Sequence, residues 1–233
     1  MSHTRCRLET MHECAEDIWH IRLIPEQEIA YKPGQYLQVV MGEKDKRPFS
    51  LASSPSRGHV LELQIGAAPG NPYPGQVMEA LRTQGEIDVE MPLGNAYLRE
   101  DSDRPILLIV GGTGYSYARS ILQYLVDQNM PRRTYIYWGV RSPDQLYEGE
   151  DVLAWSNQFR ELTFIPVVQN PDFDWEGRSG LVHEAVMADF HSFENLDIYV
   201  AGRFEMAAVV RDALRHRGVD ESRLFGDAYS YMK

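Results

Sequence analysis

Residues Ile106–Tyr117, ILLIVGGTGYSY, decide the fold. Five apolar residues run straight into a Gly-Gly-Thr-Gly turn. A helical pattern follows, with Ala118, Ile121, Leu122 and Leu125 on one side. An apolar run without polar alternation reads as a strand buried on both faces, which is the habit of parallel sheets. Glycines between such a strand and a helix let a ligand approach bare backbone. The first helical N–H groups then face an anion, which the helix dipole also favours. A pyrophosphate is the expected ligand. The turn departs from G-x-G-x-x-G, because Tyr117 stands where the last glycine would be, and no Lys-Ser/Thr follows as in a P-loop. By itself it reads equally as an ordinary tight turn.

Outward from this stretch, the chain changes period. On the C-terminal side, strands alternate with helices. After the first helix, to about Gln128, come a strand at Thr134–Trp138 and a helix near Asp151–Phe159. A strand at Leu162–Val168 and a helix near Leu181–Phe190 follow. Then come Asp197–Ala201, a helix over Glu205–Arg217, and a short strand near Arg223–Gly226. This alternation predicts a doubly wound parallel α/β sheet.

On the N-terminal side, apolar and polar residues alternate with period two. Trp19, Ile21 and Leu23 oppose His20 and Arg22, and Leu61, Leu63 and Ile65 oppose Glu62 and Gln64. Ile87, Val89 and Met91 oppose Asp88 and Glu90. Half-buried strands separated by Pro33-Gly34, Ser54-Pro55, Arg57-Gly58 and Pro92-Leu93-Gly94 predict a small antiparallel β-barrel. One helix, about Tyr73–Thr83, interrupts it, with Val77, Met78 and Leu81 inward. The polar stretch Arg99–Arg104 separates the halves, so the expected domains are residues 1–101 and 102–233.

Bulk properties narrow the function. A formal net charge of −11 over 233 residues disfavours nucleic acid as a partner. Two cysteines, Cys6 and Cys14, make neither a disulfide framework nor an iron–sulfur ligand set. The N-terminus lacks the apolar core of a signal peptide. No apolar run approaches the roughly 20 residues of a membrane span, so a cytoplasmic protein without membrane partners is expected. His183-Glu184 resembles the start of a zinc-protease helix, but Met187 occupies the second histidine's place and no metal site is expected.

Arg47-Pro48-Phe49-Ser50 lies on an expected barrel strand. R-x-Y/F-S before a GGTG turn resembles the flavin-binding motif of the ferredoxin–NADP reductase superfamily. Tyr137-Trp138-Gly139-Val140-Arg141 and Ala201-Gly202-Arg203-Phe204-Glu205-Met206 resemble its later strand ends. Where that superfamily usually has Cys-Gly-Pro, this chain has Ala201-Gly202-Arg203, which removes a thiol and adds a cation. DKRPFS, GGTGYSYARSIL, AGRFEM and the C-terminal LFGDAYSY together narrow the resemblance to the bacterial NAD(P)H:flavin oxidoreductases. Some of these supply reduced flavin to luciferase.

The resemblance implies a flavin barrel followed by a pyridine-nucleotide sheet, and hydride transfer from NADH or NADPH to riboflavin, FMN or FAD. Arg47 would meet a phosphate or the ribityl chain, with Pro48 and Phe49 beside the flavin and Ser50 at flavin N5. Gly111, Gly112, Thr113, Gly114, Tyr115 and Ser116 would hold the nucleotide, with Trp138 and Arg141 near its adenosine. Gly202, Arg203, Phe204, Glu205 and Met206 would flank the nicotinamide. The loop Ala67–Gly75 is short and has no arginine or lysine to grip an adenylate, so flavin is expected as a substrate, and a luciferase or oxygenase is a possible recipient. The alternative is a reductase subunit with tightly bound FAD serving a protein partner. Tyr36 reads as barrel core in preference to a flavin contact. Tyr229 and Tyr231 are left between flavin stacking and packing, and Asp227 between the nicotinamide side of the cleft and a cap. Asp45 and Lys46 read as a solvated turn.

Overall fold

The computed structural model describes residues 1–67 and 71–232. The N-terminal half is a six-stranded antiparallel sheet: β1 (Ser2–Ala15), β2 (Ile18–Pro25), β3 (Tyr36–Gly42), β4 (Asp45–Ser50), β5 (Leu61–Gly66) and β6 (Glu86–Leu93). Their order is β4-β3-β6-β1-β2-β5. The two ends of this order meet just past β4, where Ala52 N–H donates to the Glu62 carbonyl of β5 at 2.7 Å. The sheet thereby curls on itself around Ile21, Leu23, Leu37, Val39, Leu63 and Val89. Helix α1 (Pro72–Gln84) plugs one end through Pro74, Val77, Met78 and Leu81. Asn71 caps its start and Gly85, at φ 72°, ends it in the left-handed conformation.

The C-terminal half is a parallel sheet of β7 (Ile106–Gly111), β8 (Thr134–Val140), β9 (Leu162–Val168), β10 (Arg178–Ser179), β11 (Asp197–Ala201) and β12 (Leu224–Phe225). Its order is β10-β9-β8-β7-β11-β12, with helices between the strands. Helices α2 (Tyr115–Asp127) and α3 (Gly149–Gln158) cover one face. Helices α4 (Val182–Asp189) and α5 (Phe204–His216) cover the other. Every residue from Ile106 to Val110 has no exposed surface, as an apolar strand between two helical layers requires. Among the described residues, no helix is long and apolar enough to cross a membrane.

Two segments differ from expectation. β1 is a fourteen-residue strand that the sequence did not mark, because only Thr4 and Cys6 along it are buried and its apolar Leu8 and Met11 fall out of step across a bulge. Asp45 and Lys46 begin β4 instead of forming a solvated turn: Asp45 pairs with Arg47, and Lys46 Nζ reaches Glu90 Oε1 at 2.7 Å.

Candidate active site

The strand order reverses between β7 and β11, whose carboxyl ends open a crevice where α/β sheets bind ligands. Three glycines from these ends crowd together. A Cβ on Gly114 would stand 2.5 Å from the Ala201 carbonyl oxygen. A Cβ on Gly111 would collide with Met206 Sδ, and one on Gly202 would stand 2.8 Å from Met206 Cε. Met206 therefore lies across both turns. Gly112 differs: its φ is +53°, and nothing lies within 4 Å of where its Cβ would be. That side of the backbone is open to a ligand, above the start of α2, which has no side-chain cap.

The superfamily resemblance gives Tyr115, Ser116 and Trp138 to the nucleotide, but the fold turns their side chains inward. The Tyr115 and Trp138 rings stack with centroids 3.9 Å apart. Trp138 Nε1 donates to the Gly112 carbonyl at 3.0 Å, bracing the turn from behind. The Tyr115 hydroxyl is buried without a partner, and burial holds its pKa well above the ordinary phenol value. Ser116 Oγ donates to Gln64 Oε1 at 3.1 Å, inside the contact with the barrel. These three side chains support the turn from within. Thr113 packs beside Gly66 at the end of β5. Arg141 is exposed just past β8, its own N–H donating to Gln145 Oε1 at 3.1 Å.

Facing this crevice is the outer side of β3 and β4. Ser50 pairs directly with Tyr36 across the ladder, so both side chains leave the same face. Tyr36 is only half-buried, and its hydroxyl lies 3.5 Å from that of Tyr231. It is not barrel core, because strand parity sends it outward while Leu37 fills the interior. Tyr231 meets Phe204 edge-on with centroids 6.3 Å apart. Phe204 and Tyr231 are 56 % and 67 % exposed, an aromatic face on the open cleft beside Ser50. Arg203 and Glu205 flank it, both exposed.

Asp227 turns its carboxylate to main chain. Its carboxylate accepts the N–H groups of Asn95 at 3.1 Å and Ala96 at 3.4 Å, joining the C-terminal segment to the interdomain linker. Burial raises its pKa, and those two N–H groups pull it back. Tyr229 packs against the α5 side of the sheet with its hydroxyl buried and unpartnered, on the packing side of the alternatives.

Arg47 is 5 % exposed and points to the inner side of β4. It is gripped by Asp45, Gln76 and the Tyr73 carbonyl. Phe49 shares that side against the barrel core, while Pro48 is exposed on the other. Residues 68–70 of the loop expected to lack an adenylate grip lie outside the described residues.

A contact that sequence reasoning missed fixes the two halves together. Ser116, Arg119, Ser120 and Gln123 form one stripe of α2 at helical spacing, and all dock on the barrel. Arg119 donates to Glu62 Oε2 at 2.8 Å, to Glu148 Oε2 at 2.7 Å and to the Ala52 carbonyl at 2.9 Å. Burial alone would raise the pKa of Glu62, but His20 and Arg119 override it and hold Glu62 at about 2. From sequence, such a polar stripe reads as a solvated helix face. Only its regular spacing hinted at a second docked surface.

A model of the oxidoreductase NAD-binding domain matches residues 108–212. Over 234 residues the chain is 47 % identical to a NAD(P)H-flavin reductase of Vibrio harveyi, covering 98 % of this chain and 99 % of that protein. Its identity to a NAD(P)H-flavin reductase of Aliivibrio fischeri is also 47 %, over 97 % of this chain and 98 % of that one. Among solved structures, the ferredoxin reductase of carbazole 1,9a-dioxygenase superposes with a TM-score of 0.85 at 22 % identity. That match covers 98 % of this chain and 69 % of the other, and shows a shared fold.

Proposed function

Because this chain belongs to the NAD(P)H-flavin reductases, we propose that it moves a hydride from NADH or NADPH to free flavin and releases the reduced flavin. The hydride transfer is the two bound molecules' own chemistry and needs a separation of roughly 3–3.5 Å between the reacting atoms. The chain's contribution is placement. The open backbone at Gly112 receives the nucleotide, whose pyrophosphate is held by the first N–H groups of α2. Met206, lying across Gly111 and Gly202, sets the floor on which the nicotinamide rests. The flavin ring lies against Tyr36, Phe204 and Tyr231, with Ser50 Oγ hydrogen-bonding its reacting edge. The division between a flavin part, residues 1–101, and a nucleotide part, residues 102–233, follows from this placement.

The observation that carries the reading of flavin as a visitor is the cleft itself. Its ring-binding face is exposed aromatic surface, and Arg47 of the flavin motif is withdrawn onto Asp45. We propose a cytoplasmic setting, in keeping with two free thiols, Cys6 and Cys14. An oxygenase or luciferase that consumes reduced flavin is the fitting downstream partner.

An anaerobic dialysis cell tests release. The protein, NADPH and riboflavin are held on one side of a membrane that only small molecules cross, with a ferric chelate confined to a polymer on the other. Reduction of the distant chelate that requires both protein and riboflavin supports the reading. No reduction beyond the protein-free control, while flavin in the protein chamber is reduced, refutes release.

A further inference from the structure

A cavity of about 590 Å³ opens at the amino ends of β7, β11 and β12, at the far end of the parallel sheet from the crevice. Three arginines line it: Arg99 and Arg104 from the interdomain linker, and Arg223 from the turn before β12. A fourth, the buried Arg132, fixes the linker behind them. Its Nε and Nη2 donate to the Arg104 carbonyl at 2.9 Å and 2.7 Å, and its Nη1 to the Arg99 carbonyl at 2.7 Å. Asp197, with no exposed surface, accepts from Arg132 Nη2 at 3.0 Å and Arg223 Nη1 at 3.4 Å, so two cations share one carboxylate. Arg99 donates only to neutral groups, the carbonyls of Tyr97 at 2.9 Å and Asn95 at 2.7 Å, and stacks on the Tyr97 and Phe225 rings. Arg104 Nε is buried and, among the described residues, has no hydrogen-bond partner.

A buried guanidinium nitrogen without an acceptor is costly and calls for a partner. Planar forks from two separate segments facing one cavity are what an oxyanion fits. Asp101 and Asp103 also line the cavity, and Asp220 stands beside it, capping the Ser222 N–H at 2.9 Å. All three carboxylates are exposed, so water and salt screen them, whereas Arg104 Nε lies inside. We propose that this cavity is a second ligand site, taking a phosphate-class oxyanion on Arg104 and Arg223 with the Ser222 hydroxyl beside them. Lying at the other end of the sheet, it does not compete with the nucleotide. An oxyanion there would tie the linker to β12, which leads into Asp227 and its bonds to Asn95 and Ala96.

Calorimetric titration of the whole flavin-free protein with inorganic phosphate tests the site, at fixed ionic strength with chloride as the control and with saturating NADP+ present. Wild type is expected to bind phosphate saturably, with a Kd of about 1 mM or tighter, the scale of two charge-assisted contacts. Arg104→Gln should weaken binding at least about tenfold. Arg223→Lys keeps a cation beside Asp197 but loses the fork, and should weaken binding at least about threefold. This second variant guards against a defect peculiar to position 104. A wild type without saturable phosphate binding overturns the proposal, as do two folded variants that bind phosphate as wild type does. Phosphate binding seen only when NADP+ is left out also overturns it, because the ion would then sit at the start of α2.

Discussion

Gly114→Ala is a one-carbon change whose cost can be worked from the geometry. The new methyl would lie 2.5 Å from the Ala201 carbonyl oxygen, 2.6 Å from its carbon and 2.8 Å from Gly202 N. All three are main-chain atoms, so no side chain can swing away. Restoring ordinary contact requires the turn after β7 and the end of β11 to separate by about 1 Å. Overpacking of this kind costs about 1–3 kcal/mol of stability. The same movement parts the two edges of the crevice that must align nucleotide and flavin, and a 1 Å misplacement of reacting groups costs on the order of 10²-fold in rate. Gly112→Ala is the control. Its methyl meets no protein atom, so beyond about 1 kcal/mol for the left-handed backbone, its effect falls on nucleotide access. The assay pairs thermal unfolding with steady-state kinetics in NADPH and in riboflavin. Gly114→Ala should lower both Tm and kcat, whereas Gly112→Ala should mainly raise the NADPH KM. A Gly114→Ala protein with wild-type Tm and kcat would refute the reasoning, because it would mean the two strand ends are not in contact.

Two further outcomes follow from the site and from the domain contact. Ser50→Ala removes one hydrogen bond at the flavin edge, so the flavin KM should rise about five- to tenfold with the NADPH KM unchanged; an unmoved flavin KM would remove Ser50 from the site. Glu62, held at about 2 against an unperturbed value of 4.5, contributes stability that is fully present above pH 5 and is lost as pH falls towards 2. At about 1.4 kcal/mol per unit this is up to about 3 kcal/mol. Denaturant unfolding across that range should show the loss in wild type and a flatter profile in Glu62→Gln, and identical acid slopes would sink the assignment.

The parallel sheet was legible in the sequence because its strands are apolar on both faces and its helices carry regular inward stripes. Ile106–Val110 followed by glycines could hardly read otherwise. β1 was hidden because a mostly polar strand, although inside the sheet between β6 and β2, carries almost no periodic signal with only two buried residues. The glycine turn lies at the end of β7, where the sequence put it, yet the direction of its side chains was not legible. Tyr115 and Trp138 come from different strand–helix units, and their stacking exists only after β7 and β8 pair. The environment of Arg47 was equally invisible, since Tyr73 and Gln76 reach it from α1, nearly thirty residues away in sequence. Likewise Ser116, Arg119, Ser120 and Gln123 bear the chemistry of a wet surface but spend it on the barrel.

The central claim is that flavin is consumed as a substrate, and flavin-stripped protein tests it most directly. NADPH and NADH oxidation would be followed while riboflavin is titrated far above the protein concentration. The account requires a rate that is negligible without riboflavin, saturates as it is added, and continues for many turnovers per protein. A rate that persists with only one tightly held flavin per protein and ignores further riboflavin would contradict it, and would assign the chain to electron delivery through a bound cofactor.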